Sequence, residues 1–326
     1  MQFYTGSVHG TGSDPNNMKK ISVDGGALNP KNNQRFGTAV FSENLVKALQ
    51  LYDKKNQYFV YTFGNLKPKL FWMKGRVSLE EFKIKKDVFL ALNQALPIYS
   101  SGKIISFCHG LSYHFYPQYY STKDVARLNK QLREMITRSD KIIVSSEKVK
   151  KEFISMYRYI EGKIFVLPFG IPFDTSTTLS IKNKNKYFLF VGMDHQIKNI
   201  DFIKQAFSEF KKDKKYKDYK LYILTENVSR LKLKKLYQKA TALLTASHYE
   251  SFNLPVLEAL SQGCPVIGLE SAIIPELKSF VNVVNNIDEF VENMKKISIK
   301  PSVSSINRLY KLFNWKNYVN NLVRLY

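Results

Sequence analysis

Cysteine is nearly absent: Cys108 and Cys264 are the two in 326 residues. Two so far apart make no disulfide framework, and there is no CxxC or Cys/His cluster to hold zinc. A reducing, cytoplasmic setting is the expectation. No apolar run approaches the roughly 18 residues of a membrane span; the best are short, such as Tyr187-Phe-Leu-Phe-Val-Gly192. The start, Met1-Gln-Phe-Tyr-Thr-Gly6, has neither a basic nor an apolar region, so no signal peptide is expected. Neither GxxxxGK[ST] nor GxGxxG occurs, which excludes a P-loop and the dinucleotide fingerprint. Arginine is scarce, nine of fifty basic residues, and acids number only 27, leaving a net charge of +23. Such a balance suits polyanionic partners. The excess is mostly Lys in a chain rich in Asn, Ile, Tyr and Phe, and it is spread out rather than gathered into one stripe. No RRM, zinc-finger or helix-turn-helix signature accompanies it, so no specific nucleic acid is expected.

What is present is ordinary for a globular protein: 44% hydrophobic and 24% charged residues. At about 150 residues per domain the length suggests two domains. A polar stretch over residues 1–17 reads as a flexible tail. From Lys20 short apolar runs alternate with amphipathic ones. Strands are expected at Lys20–Asp24, 58–63, 77–82, 104–108, 141–144 and 162–167. Helices are expected over 40–49, 88–95 and from Glu147, and another behind Ser121 and Asp124, which stand at capping-box spacing, with Val125, Leu128, Leu132, Met135 and Ile136 on one face. The polar stretch 172–186 breaks the rhythm and reads as a linker. Strands then recur at 187–191, 220–225, 242–245 and 265–268, with helices at 200–211, 229–239 and 255–262. Closing helices fill 302–326, with a break near Asn314-Trp315. Alternating strands and helices mean βαβ units and parallel sheets. Ligands bind such sheets at the carboxyl ends of the strands, which points to Gly37, His109, Ser145, Gly170, Gly192 and Glu250.

Two stretches carry the chemistry. In Ala246–Ile267, Pro255 suits the first helical position and Gly263 a helix end with positive φ. The loop Glu250–Leu254 thus feeds a helix N-terminus, which favours an anion such as phosphate. Glu258 follows about one turn into the helix, where a carboxylate also serves as a dipole partner. In Tyr187–Ile203, a strand leads through Gly192 to Lys198 and then to a helix capped by Asn199, aiming Lys198 at the space above the helix.

Glu250 and Glu258, with Leu254-Pro255-Val-Leu-Glu258-Ala-Leu, Gly263-Cys-Pro265, Pro275-Glu276, Phe313-Asn-Trp315 and Val191-Gly192 through Lys198-Asn199, resemble glycosyltransferase family 4 of the retaining GT-B enzymes with its E-x7-E motif. In the first half, Gly37-Thr38 resembles the family's glycine loop. His109 resembles its His-Asp step; Val144-Ser145-Ser-Glu and Leu167-Pro-Phe-Gly170-Ile resemble two further landmarks. The resemblance implies an α/β, GT-B fold: two Rossmann-like domains with parallel sheets facing an interdomain cleft. Residues 18–175 would form the acceptor domain and 185–305 the nucleotide-sugar domain. The helix over 306–326 would cross back to the first.

It also implies transfer of a hexose, mannose- or glucose-type, from a GDP- or UDP-linked sugar to a glycan or lipid-linked acceptor, with retention of configuration and no metal or other cofactor. Glu250 would contact the reacting sugar and Lys198 the departing diphosphate. His109 would bond the donor sugar. Glu258 would hold the ribose; Gly192, Ser251, Phe252, Asn253 and Leu254 would position the donor; Gly37 and Thr38 would line the first domain's loop. Polysaccharide or glycoconjugate synthesis, and peripheral contact with an anionic membrane through a helix bearing Arg127, Lys130 and Arg133, complete the expectation. Three departures stand out. Met193 fills the family's usual Arg position, Gly110 replaces Asp after His109, and one helix alone separates Leu224 from Ala242. The first two raise the alternative of a catalytically weak relative that binds nucleotide sugar or glycan.

Overall fold

A computed structural model of the chain describes residues 18–28, 37–63, 71–175, 185–297 and 299–326. The expected tail 1–17 and most of the linker 172–186 lie outside the described residues. The chain divides into two compact units. One runs to Ser145 and adds Val149–Phe169 and Trp315–Tyr326; the other holds Ser146–Lys148 and Gly170–Asn314.

The first unit is built from β1 (Lys20–Asp24), α1 (Gly37–Tyr52), β2 (Gln57–Tyr61), α2 (Ser78–Lys83), β3 (Val88–Ala91), β4 (Lys103–Cys108), α3 (Ser112–Phe115), α4 (Thr122–Arg138), β5 (Lys141–Val144), most of α5 (Glu147–Met156) and β6 (Ile164–Val166). Its six strands are parallel in the order β2-β1-β3-β4-β5-β6. In β3 every residue is buried, because a central parallel strand is covered on both faces. That continuous apolar run reads equally well as a helix, which is why a helix is expected over 88–95 and a strand is found. The reverse holds for 77–82. A strand is expected there, on the apolar Val77, Leu79 and Phe82, yet a π-helical turn (Trp72–Val77) runs into α2, leaving Leu79 and Phe82 exposed. Glu81 is the residue that turns inward, accepting Tyr61 Oη at 2.9 Å and Ser100 Oγ at 3.1 Å. The strand expected over 162–167 shortens to β6 because a 3-10 turn occupies Arg158–Lys163. Ser121 caps α4 by accepting the Asp124 N–H at 3.1 Å.

The second unit comprises β7 (Tyr187–Val191), α6 (Ile200–Lys211), β8 (Lys220–Leu224), α7 (Arg230–Lys239), β9 (Ala242–Thr245), α8 (Leu254–Ser261), β10 (Val266–Leu269), β11 (Asn282–Val284), α9 (Ile287–Lys295) and α10 (Val303–Leu312). Its parallel strands follow the order β11-β10-β9-β7-β8. Phe188, Phe190, Leu244 and Ile267 from the strands pack with Ile203, Phe210 and Phe290 from the helices. A final helix, α11 (Trp315–Val323), belongs to the first unit, where Trp315 packs tilted and Tyr318 edge-on against Phe41 of α1, with ring centroids 6.0 and 6.1 Å away.

Each sheet reverses direction once. The order turns between β1 and β3 in the first unit and between β7 and β9 in the second. Loops leaving neighbouring strands at such a point diverge and open a crevice where ligands bind.

Candidate active site

At the second unit's crevice the loop after β7 meets the loop after β9. The two are tied by backbone: His248 N–H donates to the Ile197 carbonyl at 2.9 Å. The tie brings Lys198 Nζ to 2.7 Å from Glu250 Oε1. Ser247 Oγ, buried beside them, donates to the same Oε1 at 2.7 Å. Both ion-pair side chains are largely shielded, at 20% and 11% exposure. An ammonium has three donors and a carboxylate about four acceptor positions, so each partner retains capacity for a ligand.

Lys198 ends a 3-10 turn (Gln196–Lys198) whose N-cap is His195. Asn199 precedes α6 as expected, but it sits in the left-handed region at φ 51° and its side chain makes no cap bond, so the capping role fails. Pro255 is the second residue of α8, one later than expected; Gly263 does adopt positive φ, at 67°. Met193 stands exposed where the resemblance leads one to expect Arg.

The loop into α8 is a rigid support. Asn253 takes φ 65°, and its buried Nδ2 donates to Thr245 Oγ1 at 3.2 Å and the Ala272 carbonyl at 3.1 Å. Phe252 and Leu254 are buried as well. Their side chains are therefore packing groups, and only their backbones are suited to touch a donor. Ser251 is half-buried, as is Gly192, whose N–H bonds the Leu224 carbonyl at 3.1 Å.

Glu258 is 3% exposed, and each of its carboxylate oxygens accepts one hydrogen bond from protein. Its Oε1 accepts Arg230 Nη2 at 2.5 Å and its Oε2 accepts Tyr237 Oη at 3.1 Å. Arg230 also makes a bidentate pair with Asp174, at 2.7 and 3.0 Å. Burial raises the Glu258 carboxyl above its ordinary range, with Arg230 and Tyr237 opposing the shift. The sequence reading missed Arg230, Tyr237 and Asp174. In the sequence Arg230 counts only as part of the scattered basic excess. The available signal was the residue type: one guanidinium among lysines, the group best suited to a buried pair.

In the first unit His109 follows β4. A carbonyl can only accept, so His109 Nε2–H donates to the Leu92 carbonyl at 2.6 Å, which fixes the tautomer. Burial lowers the imidazole below its usual range. The ring lies edge-on to Phe41 at 5.0 Å. In the neutral ring Nδ1 is then the acceptor nitrogen. Gly110 has φ 122°, a conformation closed to the Asp that the family's step would place there. Gly37 and Thr38 open the first turn of α1, and residues 29–36 before them lie outside the described residues.

Residues 86–175 match the family model described as Glycosyltransferase Family 4, and residues 222–309 match Glycosyl transferases group 1; together they span more than half of the chain. The chain belongs to the GT-B glycosyltransferases of family 4. This glycosyltransferase is 23% identical over 260 residues to O-antigen chain mannosyltransferase B of Escherichia coli, covering 67% of the chain and 68% of that protein. Among solved structures, sucrose-phosphate synthase of Thermosynechococcus elongatus superposes with a TM-score of 0.69 at 15% identity, over 94% of this chain and 98% of that one. Anabaena HepE in complex with UDP-glucose gives 0.63 at 11% identity, over 94% and 99%. At these identities the structural likeness carries the fold, two Rossmann-like domains.

Proposed function

We propose that this glycosyltransferase moves a hexose from a nucleoside-diphosphate sugar to a glycan or lipid-linked acceptor with retention of configuration. The observation that carries the reading is the Lys198–Glu250 pair at the second unit's crevice, beside a helix that presents Glu258. The bond from the anomeric carbon to the phosphate oxygen breaks, and the acceptor oxygen takes its place. The acceptor proton leaves with the nucleoside diphosphate or passes to solvent. Lys198 meets the negative charge that grows on the departing phosphate, a role worth most where water is largely excluded. Glu250 holds that ammonium in place and offers its second oxygen to hydroxyls of the donor sugar. Glu258 has acceptor capacity beyond Arg230 and Tyr237 for the ribose hydroxyls. The backbone of 251–254 positions the donor, and His109 Nδ1 accepts from a sugar hydroxyl. The relative from Escherichia coli is an O-antigen mannosyltransferase, which favours a mannose-type donor and polysaccharide synthesis.

Met193 and Gly110 favour a second reading, a weak relative that binds nucleotide sugar without rapid transfer. Release of nucleoside diphosphate from GDP-mannose, UDP-glucose and UDP-galactose, with and without methyl glycosides as acceptors, separates the two. Turnover of one donor that collapses in Glu250→Ala supports transfer. Binding without turnover leaves the second reading, and neither binding nor turnover defeats both.

A further inference from the structure

The loop that carries Glu250 runs from β9 to α8, outside helix and strand, so its carbonyls find their partners elsewhere. Three side chains supply them. Ser271 Oγ donates to the Ser247 carbonyl at 2.8 Å, Lys148 Nζ to the Glu250 carbonyl at 2.9 Å, and Ser146 Oγ to the Ser251 carbonyl at 2.7 Å. Ser146–Lys148, at the start of α5, belong to the second unit with that loop. Of the three donors Lys148 alone is charged. Its Nζ also lies 3.9 Å from the centre of the buried Tyr249 ring. One ammonium therefore grips two successive residues, by a cation–π contact and by a charge-assisted hydrogen bond. The segment that bears it is anchored in turn, because the Glu147 N–H donates to Glu276 Oε1 at 2.7 Å.

We propose that Lys148 is a positioning residue for the transfer: it fixes the backbone of Glu250 and, through the Glu250 carboxylate, the placement of Lys198 Nζ. The carboxylate Oε1 of that residue meets Lys198 Nζ and Ser247 Oγ, each at 2.7 Å. Glu250 is thus held by one lysine at its carbonyl while it holds another at its carboxylate. Hydrogen bonds of this length tolerate little displacement. A shift of about 1 Å in a group that meets the reacting atoms costs about a hundredfold in rate. Lys148 and Glu250 are half-buried, so water can replace the lost ammonium and global stability should change little. What changes is the freedom of the loop. This role rests on the transfer reading, since placing Lys198 matters to the chemistry only if a phosphate departs beside it.

Full-length wild type, Lys148→Met and Lys148→Arg test it by two readouts, hydrogen exchange and donor kinetics. Lys148→Met should raise deuterium uptake across residues 246–254, with the melting temperature nearly kept. Lys148→Arg restores a cationic donor and should bring uptake back. With whichever of GDP-mannose, UDP-glucose and UDP-galactose the wild type turns over, Lys148→Met should lower kcat about tenfold to a hundredfold and change donor KM less. Lys148→Arg should recover most of that loss. Lys148→Gln, one bond too short for the carbonyl, should behave as methionine does and takes its place if methionine prevents folding. Unchanged uptake, unchanged kcat, a loss confined to donor KM, or losses that Lys148→Arg leaves unrepaired overturn the proposal. Turnover of no donor by the wild type fails the transfer reading instead, and uptake alone then decides whether Lys148 holds the loop.

Discussion

Replacing Arg230 by Met isolates the strongest electrostatic commitment in the second unit. The guanidinium is 19% exposed and stands between Glu258, whose side chain is 5% exposed, and Asp174, at 37%. The Asp174 side is wet enough to contribute at most about 1 kcal/mol. The Glu258 side differs, because the substitution strands a buried carboxylate with Tyr237 Oη as its remaining donor partner. Removing one partner of a buried pair costs about 3–5 kcal/mol. The methionine side chain replaces much of the lost packing, so about 3 kcal/mol is expected near neutral pH. The loss should depend on pH in a definite direction. Glu258 is already raised by burial, and without Arg230 it rises further. A carboxyl with a raised folded pKa binds protons in the folded state that the unfolded chain has released. Stability of Arg230→Met therefore falls as pH climbs from about 4.5 through the raised folded value, and recovers on acidification. Urea unfolding of wild type, Arg230→Met and Arg230→Met/Glu258→Gln at pH 5.5 and 8 measures this. The double variant should regain most of the stability, since its neutral amide needs no counter-charge. A single-variant cost under about 1 kcal/mol at pH 8, or a double variant no better than the single, would refute the buried-pair argument.

Other consequences are simpler. Acidification from pH 7 should lower the first unit's stability through His109, because its depressed pKa means the unfolded chain binds the proton first. The slope is bounded by one proton, about 1.4 kcal/mol per pH unit, and His109→Gln should flatten the unfolding profile between pH 5.5 and 7. Ser121→Ala removes the α4 cap and should cost about 1 kcal/mol in urea titrations; no change would mean water replaces the cap without loss. The exposed Arg127, Lys130 and Arg133 of α4 should draw the protein to anionic vesicles in low-salt flotation, at about 1 kcal/mol per charge. Arg127 is already paired with Asp124 at 2.7 Å, so Lys130→Glu/Arg133→Glu should abolish most of the effect, and equal recovery with neutral vesicles would dismiss it.

Much of the fold was legible because local pattern and tertiary role agree. The α6 span, the strand at 187–191 and the break before Trp315 follow directly from apolar spacing and polar punctuation. The reading failed where burial and periodicity part company. Val88–Ala91 is apolar on both faces, so neither helical nor strand period shows. Leu79 and Phe82 are apolar yet exposed, so their apolar character misleads. At the site, Lys198 and Glu250 were legible as loop residues before helices, 52 positions apart in sequence. That they meet depends on the β7–β9 adjacency, which follows from the sheet order. Arg230 offered only its residue type as a signal, since its role exists only once Glu258 and Asp174 are brought beside it.

The central claim is that Lys198 and Glu258 perform different tasks on one donor. Steady-state kinetics of Lys198→Ala and Glu258→Ala against varied nucleotide sugar test it most directly. Lys198→Ala should lose about a hundredfold or more in kcat, on the order of 3 kcal/mol, as removal of one donor to a developing negative charge does. Glu258→Ala should raise donor KM more than it lowers kcat, in protein shown by its melting curve to remain folded. A Lys198→Ala enzyme with wild-type kcat, or a folded Glu258→Ala enzyme with unchanged donor KM, would contradict the account.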